Sequence, residues 1–189
     1  MENTFFATLF RMKYISRWGL MRCNFGENLS EHSLEVAFLA HALALIGNQV
    51  FGKAYDCGAV CVKAMYHDAP EILTGDLPTP VKYYNAETKK AYDIVEEAAK
   101  ARFAQSLPAE LRDGYADIFR YTEDEKRLIK AADKLAALLK CKTELDSGNR
   151  EFAPAMASVE ATLKGMGMKE VEYFLDRFYA AFSLPLDLI

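Results

Sequence analysis

Residues 67–79 read HDAPEILTGDLPT, and the rest of the chain is organised around this stretch. It places His67 and Asp68 side by side, adds Glu71 three residues later, and ends with Asp76 in a loop rich in proline and glycine. Adjacent side chains of an ideal helix point about 100° apart. The pair can therefore face one point only where a helix ends, and the proline and glycine that follow indicate such an end. We predict that the pair binds a metal ion.

The composition is typical of a globular protein with a full core. The chain has 189 residues, of which 51% are hydrophobic and 26% charged, and we expect one domain over residues 1–189. The net charge of -4 argues against a nucleic acid polymer as partner, because such binding requires a broad basic surface. A small phosphorylated ligand needs only a few local cations and is compatible with this charge.

Neither a membrane span nor a secretory signal is expected. No unbroken run of about 18 apolar residues occurs, and residues 1–6 lack the basic-then-apolar order of a signal peptide. None of the four cysteines forms a CxxC pair. We interpret them as reduced, mostly buried thiols of a cytoplasmic protein.

Helical periodicity runs through the chain, and no strand alternation is found. Asn28 with Glu31 and Thr122 with Glu125 are typical of capping boxes at helix starts. The predicted helices cover residues 4–15, 28–46, 56 to the His-Asp pair, 85–106, 109–119, 122–146, 150–164 and 168–182. The fold class is therefore all-α. Inward-facing positions are expected to include Val60, Ala64, Met65, Tyr92, Val95, Ala99 and Phe103.

His41 is excluded from any metal site that contains His32. The two lie nine residues apart on one predicted helix, about 13 Å at 1.5 Å per residue. We interpret His41 as a packed or surface histidine. It shares one side of this helix with Leu34, Ala37, Phe38 and Leu45.

Four ionisable residues stand at unusual places in the predicted helices. His32 lies near a helix start, His67 and Asp68 at a helix end, and Asp133 among leucines and alanines. Each alone has an ordinary explanation as a surface or capping residue, but buried aspartates are rare unless paired or bound to metal. Two imidazoles and two carboxylates suit a divalent first-row ion, which activates water for hydrolysis. The lack of a thiolate argues against a purely structural zinc.

The H…HD…D order of these four residues resembles that of the HD-domain metal-dependent phosphohydrolases, which are all-helical. Residues 16–18, 27–34, 65–83 and 130–135 look like the bacterial 5'-deoxynucleotidase branch of that family. The likeness runs from about residue 4 to 182. It implies a single HD-type helical bundle that hydrolyses deoxyribonucleoside 5'-monophosphates to deoxynucleoside and phosphate.

The resemblance also implies the role of each site residue. One divalent ion per subunit, taken as cobalt, manganese or a similar metal, would be held by His32, His67, Asp68 and Asp133. Glu71 would act as general acid and base. Arg17 would pair its planar guanidinium with two phosphate oxygens and assist catalysis.

The implied substrate contacts involve the loop after Glu71 as well. Trp18 would line the sugar site and help to reject a 2'-hydroxyl, and Asp76 would accept a hydrogen bond from the 3'-hydroxyl. The further implied contacts are His32, Asp68, Leu77, Pro78 and Thr79. Lys82 is a candidate for a second phosphate-binding cation, but we favour its interpretation as a solvated lysine. The family forms homodimers, and the first and last helices are candidate surfaces for a homodimer here.

Two other functions are considered. The same metal site could serve a nucleoside triphosphate or a cyclic nucleotide, although Arg17 and Lys82 are the only cations obvious near the loop. A non-catalytic nucleotide sensor is the other alternative. Loss of a metal ligand or of Glu71 would indicate it, and all five residues are present.

Overall fold

The computed structural model describes residues 3–82 and 84–189, and the side chain of Thr79 lies outside this description. Within these ranges the α-helices are α1 (Phe5–Leu9), α2 (Leu29–Phe51), α3 (Cys57–Met65), α4 (Glu71–Thr74), α5 (Thr79–Lys82), α6 (Ala86–Gln105), α7 (Ala109–Tyr115), α8 (Glu123–Asp146), α9 (Ala153–Met166) and α10 (Lys169–Phe178). Short 3-10 helices cover Phe10–Tyr14, Arg150–Phe152, Tyr179–Ser183 and Leu186–Leu188. The all-α prediction is confirmed.

The helices fall into two compact units that alternate along the chain. The first unit contains the described residues of Met1–Arg22, Gly26–Ser33 and Tyr66–Tyr121. The second unit contains Cys23–Phe25, Leu34–Met65 and Thr122–Ile189. The single domain over residues 1–189 stays a prediction.

An aromatic and aliphatic core holds the first unit together. Phe5 is 1% exposed, and its ring centroid lies 5.5 Å from that of Phe103 and 5.0 Å from that of Tyr115. The other buried members are Met12, Leu29, Ala69, Leu107 and Ile118. Each fully buried large side chain contributes about 1.5–3 kcal/mol. Since Leu29 and Ala69 lie close in sequence to His32 and Asp68, this core also anchors two segments that carry predicted ligands.

The start of α2 confirms the predicted capping box. The side-chain oxygen of Asn28 accepts from the backbone N–H of Glu31 at 3.1 Å, and the Glu31 carboxylate accepts from the N–H of Asn28 at 3.0 Å. The helix runs to Phe51, beyond its predicted end at residue 46, and Gly52 with φ of +64° follows it. A left-handed glycine is a common helix terminator.

The second unit is built on α8, which packs against α3 and α9. Thr122 and Glu125 form the predicted capping box at its start. Its large buried side chains include Leu128, Ile129, Leu135 and Leu138.

Glu144 on α8 is a fully buried carboxylate with a complete set of donors. It accepts from the backbone N–H groups of Asn24 at 2.8 Å and Phe25 at 3.0 Å. Lys140 Nζ, at 2.6 Å, and the amide of Asn149, at 2.9 Å, complete the set. Burial of this charge is therefore compensated by charge-assisted hydrogen bonds.

Several side chains predicted to face the core are instead exposed. Met65 and Val95 are 44% and 47% exposed, whereas the other inward-facing positions of α3 and α6 are buried. On α2, Leu34 and Phe38 share one side of the helix with His41 and are 48% and 64% exposed, and His41 is exposed, in agreement with the surface alternative. This helix is apolar nearly all round, so its periodicity cannot indicate which face is buried. Within the described residues the four cysteines form no disulfide bond, and of the four only Cys141 is buried.

Among the described residues, α2 also meets the length and composition of a membrane-spanning helix. Its 18-residue window has a hydropathy of 1.5, and 44% of that window is buried inside the protein. The core helix of a soluble protein passes the same test. The expected absence of a span therefore stays a prediction.

Candidate active site

His67 and Asp68 lie in the turn that follows α3, as the sequence predicts. The helix ends at Met65, and residues 66–70 turn before α4 begins at Glu71. The carbonyl of Asp68 accepts from the N–H of Glu71 at 2.9 Å. Because the helix has ended, the pair can converge, and His67 Nε2 lies 3.1 Å from Asp68 Oδ2.

His32 reaches the same point from the first turn of α2. Its Nε2 lies 3.5 Å from Asp68 Oδ2, and one ligand atom of each of His32, His67 and Asp68 lies within 4.8 Å of the others. Ligands about 2.0–2.2 Å from one ion lie about 3–4 Å from each other. The spacing and the N/O donor set therefore fit a divalent metal, and three of the four predicted ligands come together.

Asp133 lies on α8 in the second unit. It is half-buried, and its Oδ2 lies 3.0 Å from Lys134 Nζ. Its role as the fourth ligand stays a prediction.

Glu71 is a buried carboxylate beside the predicted metal ligands. It is 8% exposed, and among the described residues its Oε2 has no hydrogen-bond partner. Burial, followed by the negative charges of Asp68 and Asp76, raises its pKa to about 8, although two nearby cations oppose this rise. In the metal-free protein Glu71 is therefore largely protonated at neutral pH, a state in which it can donate a proton.

Tyr92 and Lys82 line the other side of Glu71. The Tyr92 hydroxyl donates to Glu71 Oε1 at 3.4 Å, and Lys82 Nζ lies 3.7 Å from the same oxygen. Lys82 Nζ also lies 4.4 Å from the centroid of the Tyr92 ring. The interpretation of Lys82 as a solvated lysine is wrong. The sequence predicts that Tyr92 faces the core, because helical periodicity indicates an inward side but not the contact with Glu71.

Arg17 brings positive charge to the carboxylates of the site. Its Nη1 donates to Asp68 Oδ2 at 3.4 Å and lies 3.8 Å from Asp76 Oδ1. Asp76 follows Gly75, whose φ of +73° ends α4. The backbone reversal predicted from the glycine thus places Asp76 near Arg17.

Glu27 connects the remaining residues of the site, and sequence reasoning assigned it no role. It accepts hydrogen bonds from Arg17 Nε at 3.1 Å and Trp18 Nε1 at 2.7 Å, and its Oε1 lies 3.2 Å from His32 Nδ1. Burial raises the pKa of Glu27, but the hydrogen bond from His32, the charge of Arg17 and the indole N–H together lower it below its ordinary value. In the sequence, Glu27 is marked only as an acidic residue that directly precedes the helix-capping Asn28.

The predicted nucleotide-binding wall is partly described. Leu77 and Pro78 are half-buried and precede α5, a short helix where the sequence predicts only a loop. The side chain of Thr79 lies outside the described residues. The roles of these three residues in substrate binding stay predictions.

Solved structures with the same fold define the class of protein. An HD-domain phosphohydrolase from Listeria innocua aligns with a TM-score of 0.82 and 25% identity, over 95% of this chain and 88% of that one. A cyanophage S-2L HD phosphohydrolase, bound to dA and one catalytic Zn2+ ion, aligns with a TM-score of 0.69 and 23% identity, over 94% and 97%. The fold is that of the HD-domain phosphohydrolases.

The family follows from the sequence comparisons. Residues 4–182 match the model of the family described as 5'-deoxynucleotidase YfbR-like. The 5'-deoxynucleotidase YfbR of Shigella boydii is 48% identical over 100% of this chain and 96% of the relative. The chain belongs to the YfbR-like 5'-deoxynucleotidase family. The predicted family, its all-α HD-type fold and the prediction of a hydrolase of the 5'-deoxynucleotidase class are confirmed.

Proposed function

We propose that this chain releases phosphate from deoxyribonucleoside 5'-monophosphates at the site formed by His32, His67 and Asp68, together with Arg17 and Glu71. One observation carries the proposal. Two imidazoles and a carboxylate converge within metal-binding distance, next to a guanidinium and a buried carboxyl group. This combination suits metal-assisted hydrolysis of a phosphate ester, because it joins a metal site, an anion-binding group and a proton donor.

The cofactor is one divalent ion per subunit, held by these three ligands and by Asp133 as the fourth. When bound, such an ion supplies charge stabilisation and a nucleophilic water near neutral pH. Nitrogen and oxygen donors suit first-row ions, and we propose Co2+ or Mn2+. His32 presents Nε2 to the site because Glu27 binds its Nδ1, an arrangement that fixes the ring orientation of metal-binding histidines.

Arg17 binds the phosphate. Its Nη1 lies 3.4 Å from Asp68 Oδ2 and 3.8 Å from Asp76 Oδ1, so the guanidinium lies beside the ligand cluster. A planar fork of N–H donors matches two phosphate oxygens. Arg17 thereby neutralises charge that develops on the phosphoryl oxygens in the transition state.

Glu71 transfers the proton. Burial raises the pKa of Glu71, which favours the protonated form that can donate to the leaving 5'-oxygen. After donation, the carboxylate can accept a proton from water. Tyr92 and Lys82 hold Oε1, which leaves Oε2 available for this transfer.

The deoxyribose is recognised by Trp18 and Asp76. Trp18 restricts the space beside the 2' position, and Asp76 accepts a hydrogen bond from the 3'-hydroxyl. Leu77, Pro78 and Thr79 form the wall of the nucleotide site. We expect broad tolerance of the base, since few polar side chains here are suited to reading a base edge.

The protein forms a homodimer and acts in the cytoplasm. Exposed aromatic residues in the N-terminal segment support self-association: Phe6 is 46% exposed and Phe10 is 68% exposed. Near the C-terminus, Phe178 and Phe182 are 46% and 51% exposed. Such apolar surface is typical of interfaces. Light scattering after size exclusion tests this, and a mass of 21.3 kDa at all concentrations would show a monomer instead.

Phosphate release from matched pairs, dCMP with CMP and dAMP with AMP, tests the function. The protein is stripped of metal and then restored with Co2+, Mn2+ or Zn2+. We expect metal-dependent release that is much faster for the deoxy member and absent in Glu71→Ala. The exposed Glu110→Ala provides a matched control and should retain full activity.

Other results of this assay would refute the proposal. Hydrolysis of triphosphates or cyclic nucleotides, with inert monophosphates, would contradict the substrate class. Metal binding without turnover of any nucleotide would indicate a sensor.

A further inference from the structure

We propose that Glu27 is a positioning residue for sugar selection, because its carboxylate holds the indole of Trp18 in place while also binding Arg17 and His32. The proposal rests on the proposed function, which assigns Trp18 to the sugar and Arg17 to the phosphate. The side chain of Glu27 is 9% exposed and is engaged by these residues. It therefore acts through them and does not contact the substrate.

The contacts of Glu27 divide between its two oxygens. Oε1 accepts from Arg17 Nε at 3.1 Å and lies 3.2 Å from His32 Nδ1, while Oε2 accepts from Trp18 Nε1 at 2.7 Å. A carboxylate offers about four acceptor positions, of which two accept hydrogen bonds from Arg17 and Trp18 while His32 Nδ1 lies close to a third. The side chain is only 9% exposed, so water competes little for these contacts. The 2.7 Å bond is as short as charge-assisted bonds usually are.

The backbone near Trp18 is held separately from its side chain. The N–H of Arg17 donates to the carbonyl of Glu27 at 2.9 Å, and the N–H of Leu29 donates to the carbonyl of Ile15 at 2.9 Å. Trp18 itself has φ of +58°, in the left-handed region that favours glycine. These contacts place the main chain, and the hydrogen bond to Glu27 Oε2 then sets the direction of the indole.

Glutamine at position 27 would keep the shape but lose this function. Its amide has one oxygen and one NH2 group, so it cannot accept hydrogen bonds at both ends. Either Trp18 or the pair of Arg17 and His32 would then face a donor. Because Arg17 and His32 both face the Oε1 side, the amide oxygen is expected there, so the indole loses its acceptor and gains freedom to rotate.

The first test needs neither metal nor turnover. Trp18 is the only tryptophan, so the 15N-labelled, metal-free protein gives one indole N–H resonance. We expect Glu27→Gln to shift this resonance upfield and to speed its exchange with water at least tenfold. The exposed Glu110→Gln is the matched control and should leave the resonance unchanged. An indole resonance that is the same in Glu27→Gln and wild type would overturn the proposal.

The second test measures selectivity in the metal-loaded enzyme. We expect the ratio of kcat/KM for dCMP over CMP to fall at least tenfold in Glu27→Gln. Trp18→Phe removes the same hydrogen bond from the other side and should also lower the ratio. The double variant should show no further loss, because both changes break one interaction. Partial unfolding cannot produce this result, since the ratio is measured on one folded population.

The outcomes separate the two proposals. An unchanged ratio in Glu27→Gln, or fully additive losses in the double variant, would overturn the role of Glu27. If Glu27→Gln does not fold, an unchanged ratio in Trp18→Phe alone would also overturn it. If wild-type protein does not hydrolyse deoxyribonucleotides, the proposed function fails, while the indole resonance still tests the contact.

Discussion

Replacing Glu71 with glutamine is expected to stabilise the metal-free protein, and to do so more strongly as the pH rises. The reason is the raised pKa of Glu71, which is about 8 in the folded chain against an ordinary value of 4.5. Below pH 4.5 both the folded and unfolded states hold the proton, and the wild type has no disadvantage. As the pH rises from 4.5 to 8, the unfolded chain releases the proton while the folded chain retains it, so stability is lost.

The size of this effect follows from the two pKa values. Each pKa unit corresponds to about 1.4 kcal/mol, so the loss approaches about 5 kcal/mol above pH 8 as an upper bound. Relaxation of the site lowers this figure, and we expect about 2–4 kcal/mol. Glutamine keeps the volume and the acceptor for Tyr92 but cannot ionise. The gain should therefore be near zero at pH 4.5 and should reach its full size above pH 8.

Urea unfolding of the metal-stripped wild type and Glu71→Gln at pH 4.5, 6.5 and 8.5 measures the effect. Glu110→Gln removes an exposed carboxylate of the first unit and should follow the wild type at each pH. A stability difference between Glu71→Gln and wild type that is the same at all three pH values would refute the reasoning. It would mean that Glu71 ionises normally in the folded state.

Three further changes address other parts of the molecule. Gly47→Ala should destabilise the protein by about 1–2 kcal/mol in urea unfolding, because the new Cβ would lie 2.5 Å from the Tyr55 ring. Gly165→Ala is the control: its new Cβ would meet no atom within 4 Å, so this change should be neutral or stabilising. Tyr92→Phe removes a 3.4 Å hydrogen bond to the proton donor and should lower kcat a few-fold with little change in KM, while a tenfold rise in KM would indicate a substrate contact instead. Glu144→Gln should cost about 2–4 kcal/mol at pH 7. Burial raises the pKa of Glu144, but its hydrogen bonds outweigh this effect and lower the pKa to about 2. The cost of the substitution should therefore fade as the pH drops from about 4.5 towards 2, and a cost independent of pH would contradict this.

Helix starts could be predicted because their chemistry is local. Asn28 and Thr122 each bind a backbone N–H three residues ahead, and both capping boxes appear as predicted. The end of α2 could not be predicted, because Gly47 and Asn48 look like a stop signal. In the structure Gly47 makes room for the Tyr55 ring, and Asn48 binds the backbone of the same residue at 2.7 and 2.9 Å. Both roles depend on tertiary contacts.

The site shows the same division between local and distant information. The adjacency of His67 and Asp68 and the helix-ending signals after them predict a shared point, and the structure confirms that convergence. Glu27 follows no pattern of its own, because its importance arises from donors that lie before and after it in the chain. Lys82 was misinterpreted for a similar reason. Its partners Glu71 and Tyr92 become neighbours only when α4 and α6 pack together.

The left-handed backbone at Trp18 has a consequence for how this enzyme family could diversify. Main-chain hydrogen bonds hold residues 15–17 against residues 27–29, and these bonds do not depend on which side chain occupies position 18. A substitution there can alter the proposed sugar site without moving His32. Asparagine or glycine would also relieve the unfavourable φ. A single substitution at position 18, in evolution or by engineering, could therefore produce enzymes that accept ribonucleotides and keep the rest of the site.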